Sequence, residues 1–208
     1  MQKLLLCDIG NTSYHFFDGD AEFKKDVVDF DPSKIKERVY FISVNQKITK
    51  KLSMLGNWID LESFINKQNY YESMGIDRVV ACESIEHGVV LDAGSAITVD
   101  IIQYKKFIGG FIYPGVKAMR ESFAKISPIL DISFNFDLEL DIMPKNSKDA
   151  ISYGFLKTLY LEVVSHNLPI ILTGGDANKF KKIFPDATVD ERLIFKGMLK
   201  IMKKADLC

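Results

Sequence analysis

Apolar positions along the chain fall into two series of matching design. In the first, Leu4, Leu5, Leu6 and Cys7 run into Asp8-Ile9-Gly10-Asn11-Thr12, and a second apolar run spans Tyr14 to Phe17. This pattern predicts strand, tight turn, strand. Residues 3–28 divide into three short strands, the second turn being Asp18-Gly19-Asp20, a strong hairpin signal. Residues 39–44 are apolar on both faces and rich in strand formers, which predicts a buried strand. Residues 46–55 carry Ile48, Leu52 and Leu55 at helical spacing and stop at Gly56, a natural C-cap. Residues 32–37 are a short polar helix or loop, 58–61 a weak strand, and 69–76 a loop. A helix opening at Asp77 is expected to link the two halves, with a boundary near residue 86.

The second series repeats the plan. Strands are expected at about 89–92, 96–102 and 107–112, with residues 103–106 as a turn and Gly109-Gly110 interrupting the third strand. Pro114-Gly115 leads a helix at 116–125, and residues 126–148 are polar and irregular. Residues 149–164 put Ile151, Phe155, Leu159 and Val163 on one helical face. Ile170-Ile171-Leu172 is a buried strand feeding Thr173-Gly174-Gly175-Asp176 and a short helix. A final helix covers about 191–204, with Lys196, Lys200, Lys203 and Lys204 on a solvated face. The expected fold class is α/β, in two related subdomains, 1–86 and 87–208. Each opens with an antiparallel meander and is flanked by helices.

Composition narrows the function classes. With 208 residues, 47% hydrophobic and 26% charged, the chain can bury a substantial core. A formal net charge of −1 offers no electrostatic pull toward nucleic acid or an anionic membrane. No apolar run approaches the roughly 20 residues of a membrane span. The strand-like start lacks the basic region and cleavage site of a secretory signal. Cys7, Cys82 and Cys208 are unclustered, so cytoplasmic thiols are expected rather than a disulfide frame or zinc site. His15, His87 and His166 are scattered, and no hydrolase triad or zinc motif is present.

The candidate chemistry lies in the turns. Asp8 sits at a strand end beside Gly10, whose missing side chain lets backbone N–H groups approach a ligand; Asn11 tolerates a positive φ and Thr12 adds a hydroxyl. An acid to hold a metal, with N–H groups and a hydroxyl to hold an anion, suits a metal-bound polyphosphate. Asp92-Ala93-Gly94-Ser95 repeats the order of strand, Asp-x-Gly turn, hydroxyl and strand. Either could be a plain hairpin turn; two copies, one per half, favour phosphate binding. Gly75-Ile76-Asp77-Arg78 is open to two readings: an ordinary N-cap Asp with a solvated Arg, or a base and a carboxylate-gripping Arg held together. Thr173 to Asp176 is either a simple turn or a backbone platform for the adenosine part of a nucleotide. Gly109 to Lys117 has Gly-x4-Gly spacing, but Val116 stands where a Walker loop needs Lys.

With these motifs in their order, the chain resembles the type III pantothenate kinases of the actin-like ATPase superfamily, over nearly its whole length. The motifs are Asp8-Ile-Gly-Asn-Thr12, Gly75-Ile-Asp-Arg78, Asp92 to Asp100, Gly109 to Gly115, Asn146 to Ile151 and Thr173 to Asp176, of which Gly-x-Asp-Arg discriminates best. The resemblance implies a cytoplasmic homodimer that phosphorylates pantothenate with ATP and Mg²⁺, and no nucleic-acid or membrane partner. It implies ATP contacts from Asp8, Ile9, Gly10, Asn11, Thr12, Ser13, Tyr14, His15 and Ser95, with Asp8 meeting Mg²⁺ through the nucleotide. Asp77 would be the general base. Gly75, Ile76, Asp77, Arg78 and Tyr71 would hold pantothenate, and Ser147 would reach the substrate bound to the partner subunit. Asp92 would bind a monovalent cation, K⁺ or NH₄⁺. The chain departs from the family in carrying Ser where Thr is usual at Ser95 and Ser147, and in a shorter loop before Gly75. Two rival readings are a regulatory protein that keeps the fold without catalysis, and another actin-fold enzyme such as an acetate kinase or a phosphatase.

Overall fold

A computed structural model of the chain describes residues 4–207. Five strands build the first sheet: β1 (Leu5–Ile9), β2 (Ser13–Phe17), β3 (Glu22–Asp26), β4 (Val39–Ser43) and β5 (Trp58–Asp60), in the spatial order β3-β2-β1-β4-β5. The first three form the expected antiparallel meander, while β4 and β5 add in parallel on the other side of β1. Five more build the second: β6 (Gly88–Ala93), β7 (Ala96–Gln103), β8 (Lys106–Pro114), β9 (Ile170–Thr173) and β10 (Thr188–Val189), in the order β10-β9-β6-β7-β8. Renumbered from its own first strand, this is the same topology with the same parallel and antiparallel pairs. The helices are α1 (Gln46–Leu52), α2 (Ile76–Ser84), α3 (Val116–Ile126), α4 (Ser147–Ser165), α5 (Ala177–Phe180) and α6 (Leu193–Lys204). Among the described residues, no helix is long and apolar enough to cross a membrane.

The central strands are apolar on both faces because each face is covered. In the first sheet, Cys7, Ile9, Tyr14, Phe16, Phe41 and Trp58 share one cluster. Its aromatic rings meet mostly edge to face, for example Phe41 on Trp58 with centroids 5.9 Å apart. In the second sheet, Val89, Leu91, Val99 and Leu172 pack with Phe155, Leu159 and Val163 of α4.

The chain divides into two compact units, Met1–Ser84 with Arg192–Cys208, and Ile85–Glu191. The division expected from sequence, 1–86 and 87–208, therefore differs at its far end, where the last helix returns to the first unit. The reason is packing: α6 buries Leu193, Phe195, Met198, Ile201 and Met202, and it lies against α2 and β1. Lys204 pairs with Glu83 of α2 at 2.6 Å, so this lysine of the expected solvated face has a partner. Arg192 pairs with Glu22 at 2.6 Å and lies over the Phe17 ring at 5.0 Å. Tyr40 Oη donates to the Leu207 carbonyl at 3.3 Å.

Other differences are local. Gly109-Gly110 does not end the third strand of the second series: β8 runs from Lys106 to Pro114, with its irregularity beside Gly109, where Ile101 pairs with Gly109 and Ile102 with Phe107, leaving Ile108 as the extra residue. Helix α1 stops at Leu52 with Ser53 as C-cap, so Gly56 lies in the following turn. The 3-10 turn Leu61–Phe64 and the short β10 carry too few residues to show a period. Cys7 and Cys82 are buried, and burial pushes the Cys7 thiol well above its ordinary value, which makes it inert. The expected strand start at Lys3 and the third thiol, Cys208, lie outside the described residues.

Gly197 sets how closely α6 approaches α2. A Cβ there would overlap the Val80 carbonyl oxygen and come within 2.9 Å of Val80 Cγ1. Gly197→Ala gains helix propensity of about 1 kcal/mol but forces the helices apart, an overpacking cost of about 1–3 kcal/mol or more. The expected outcome is a lower melting temperature. A variant as stable as wild type, measured by thermal melting, would show that the contact yields freely.

Candidate active site

Asp8 is the fourth residue of β1, at the carboxyl end of a strand pair that runs in parallel with β4, opposite His15 and Ile42 in register. Ligands of open α/β sheets bind outside the carboxyl ends of such strands. The turn after it is closed by Gly10 N–H donating to the Ser13 carbonyl at 3.0 Å, which leaves Asn11 and Thr12 exposed. Asp8 itself is half-buried. Three residues of the expected phosphate loop face elsewhere. Ile9 and Tyr14 are buried in the core cluster, and His15 packs on Phe195 with its Nε2 3.0 Å from Glu22. What these three have to offer a ligand is backbone.

At the start of α2, Asp77 lies in the first turn, and its Oδ1 accepts from the Arg78 N–H at 2.8 Å. Arg78 is not the solvated side chain of the plain capping reading: only 5% of it is exposed. Its guanidinium donates to Tyr71 Oη and sits 5.8 Å from the Tyr71 ring centroid. The shortened loop before Gly75 thus still brings Tyr71 onto Arg78. Among the described residues, a half-buried carboxylate, a buried guanidinium and an exposed tyrosine meet at one helix N-terminus, which favours negative charge. This arrangement can bind a carboxylate and hold a base beside it.

In the second unit, the ends of β6 and β9 bring two predicted turns together. Asp92 pairs in register with Thr173, and Asp176 N–H donates to the Ala93 carbonyl at 3.0 Å. Gly174 has φ +86, and a Cβ on it would overlap Asp92 Oδ1 and come within 2.9 Å of the Ala93 nitrogen. Only glycine fits there, so Asp92 lies directly on the backbone of Gly174. Ser95 is exposed on the same loop. Among the described residues, no three His, Cys, Asp or Glu side chains gather as a metal site. A divalent ion would depend on a ligand's own oxygens, as Mg²⁺ does when it is held by one carboxylate and a polyphosphate.

Ser147 is the exposed first residue of α4, two residues earlier than the helix start expected from sequence, because Asn146 is the N-cap and accepts from Asp149 N–H. Sequence reading missed the residues that support these groups: Glu22 and Arg192 around His15, and Asn135 beside the start of α4. Arg192 was unreadable because it is distant in the chain. The Asn146-x-x-Asp149 spacing was a readable capping signal.

Comparison with known proteins then adds to this geometry. The family model described as type III pantothenate kinase matches residues 33–166. A type III pantothenate kinase of Sulfurimonas denitrificans is 60% identical over 205 residues, covering 99% of this chain and 100% of that one. The crystal structure of a protein from Campylobacter jejuni, described as a Baf family transcriptional activator, superposes with a TM-score of 0.88 at 39% identity, covering 99% of this chain and 100% of that one. A Porphyromonas gingivalis protein described as an N-acetylglucosamine kinase matches with a TM-score of 0.51 at 12% identity over 98% of this chain and 99% of that one; it bears on the fold alone. Two five-stranded sheets of one topology, with flanking helices, are the fold of the actin-like ATPases and sugar kinases.

His15 yields a test of the first loop's surroundings. Burial and then Lys24 lower its pKa, outweighing Glu22, which raises it. A group with a lowered folded-state pKa contributes stability that is fully present above its unfolded value, about 6.5, and lost as pH falls through the folded value. Melting temperature should therefore drop as pH falls below about 6.5, and His15→Gln should flatten that part of the profile. An equally steep decline in the variant would overturn this account.

Proposed function

The chain belongs to the type III pantothenate kinases, and on that premise we propose how its own residues carry out the family's reaction, the ATP-dependent phosphorylation of pantothenate that opens coenzyme A synthesis. Phosphoryl transfer asks little covalent chemistry of a protein; it asks for alignment and charge neutralisation. The observation that carries the assignment of roles is the meeting of Asp77, buried Arg78 and Tyr71 at the start of α2. Pantothenate is a carboxylate with a primary alcohol at its far end. Arg78, oriented by Tyr71, grips the carboxylate; Gly75 and Ile76 shape the turn around it. Asp77 accepts the proton of the alcohol as its oxygen attacks the γ-phosphorus of ATP.

The exposed turn of Asn11 and Thr12, with the backbone from Asp8 to His15, is assigned to the phosphates of ATP, and the exposed Ser95 hydroxyl is assigned to nucleotide contact. Asp8 would hold Mg²⁺ through the nucleotide, and the ion would supply neutralisation of phosphate charge. Asp92 is assigned to a monovalent cation, K⁺ or NH₄⁺, which suits a carboxylate pressed against loop backbone. The working unit is a cytoplasmic homodimer in which Ser147 reaches the partner's pantothenate. Support for assembly comes from the second unit, where Ile108 and Ile112 of edge strand β8 are exposed. Exposed apolar faces of this kind mark interfaces, and a second copy is the occupant proposed.

A regulatory reading finds support in the description of the Campylobacter jejuni neighbour as a transcriptional activator. It leaves the acid set of Asp8, Asp77 and Asp92 without a task, and the net charge of −1 gives no global electrostatic pull toward nucleic acid. Pantothenate-dependent release of ADP, with the phosphorylated product identified by mass, decides between the two; its absence in potassium buffer would sink the kinase reading.

Asp77→Asn keeps the size and the acceptor for Arg78 N–H, so melting temperature should barely move. kcat should fall by roughly 10²–10⁴, the range for a lost general base, while the ATP KM holds. A folded variant with near wild-type kcat would remove Asp77 from the mechanism. For the cation and the dimer, activity should require potassium or ammonium over sodium, and Asp92→Asn should abolish that requirement along with most turnover. Ile112→Asp should sediment as a monomer and lose activity. Equal rates in sodium, or a fully active monomer, would each overturn the corresponding assignment.

A further inference from the structure

Residues 131–146, which lack regular structure of their own, are fastened to the start of α4 by side chains rather than by a strand ladder. Two aromatic rings anchor the segment: Phe134 lies 4.8 Å from Phe155 and Phe136 lies 5.2 Å from Phe180, centroid to centroid. Between them, Asn135 is held on all sides. Its N–H donates to Ser152 Oγ at 2.8 Å, its Nδ2 donates to Asp149 Oδ1 at 2.9 Å, and its Oδ1 accepts from Asp137 N–H at 3.0 Å. The other oxygen of Asp149 accepts from Asn146 Nδ2 at 2.7 Å, and Asn146 Oδ1 accepts from Asp149 N–H at 2.9 Å. Ser152 Oγ donates to the Lys148 carbonyl at 2.9 Å. Donors and acceptors of both Asn amides are used in one sense only, which sets their orientation.

Both carboxylate oxygens of Asp149 are therefore spent on two asparagines, one of them fourteen residues away. A helix N-cap needs nothing of the kind; Asn146 alone provides it. The bond to Asn135 joins the strap to the turn that carries Ser147 and Lys148. We propose that Asp149 is a positioning residue: by clamping Asn135 and Asn146 it holds the first turn of α4, and Ser147 on it, in the geometry that binds pantothenate. This rests on the reading of Ser147 given above. The clamp suits an ionised acid, since bonds to a charged acceptor are stronger than neutral ones. The Asn135 and Asn146 bonds, with Lys148 nearby, hold the Asp149 carboxyl below the usual carboxylate range. It is ionised throughout the neutral range.

The test uses the full-length chain with Asp149→Ala, Asp149→Asn and Ser147→Ala, measuring steady-state kinetics, melting temperature and hydrogen exchange. Asp149→Ala should accelerate exchange at 132–137 and 146–150 and raise the pantothenate KM roughly 10-fold, as for losing bonds to a charged group, with the ATP KM within about twofold. Asp149→Asn keeps one acceptor and should fall between the two. A purely structural cap would instead lower the melting temperature and move neither KM selectively. The proposal is overturned if exchange does not accelerate, or if it does and the pantothenate KM stays at the wild-type value. If Ser147→Ala is silent while Asp149→Ala still raises the pantothenate KM, the Ser147 contact falls and the positioning role of Asp149 stands, exerted through another group of that turn.

Discussion

Parallel pairing of two central strands is the constraint on which each unit depends. In the first it joins β1 to β4, in the second β6 to β9. A parallel pair cannot be closed by a tight turn, so the chain must cross over and both faces must be covered. That requirement explains the doubly apolar strands, and it leaves the carboxyl ends as the places where a polar residue fits without breaking the core. Asp8 and Asp92 are those residues, each followed by a turn through a glycine and a hydroxyl-bearing loop.

The α2 start solves a different problem. A buried guanidinium is costly unless its hydrogen bonds are met, and Arg78 is held partly by Tyr71. Burial fixes the direction of its charge, while a freely solvated arginine would be worth little as a clamp. The neighbouring Asp77 stays half-buried at the helix end. One short turn thereby supplies a fixed cation and an accessible acid, which a substrate with an anionic end and a distant alcohol can use together.

Support for these groups is drawn from distant segments. Helix α6 closes against α2 through Gly197, so the helix bearing Asp77 and Arg78 is backed by the end of the chain. In the second unit, Gly174 lets the β9 turn lie on Asp92, and the strap through Asn135 fastens the α4 turn. In each case a contact between residues far apart in sequence decides the position of a group whose chemistry is local.

Much was legible in the amino-acid order because it is set by short-range pattern. Two-residue alternation and doubly apolar runs announced the strands, helical spacing announced α4 and α6, and Asp-x-Gly turns marked both strand ends. The Gly75 to Arg78 motif was enough to suggest a family. Three things were decided only in the folded molecule. The return of α6 to the first unit depends on the fit of two helix surfaces, which no local window contains. Arg78 is buried and bonded to Tyr71 across a loop, where sequence alone favoured a solvated arginine. The order within residues 131–146 comes from side-chain bonds spanning up to 45 positions, with no backbone period to betray it. Periodicity reports which face of an element is buried; it carries no information on which distant surface buries it, and that choice belongs to tertiary packing.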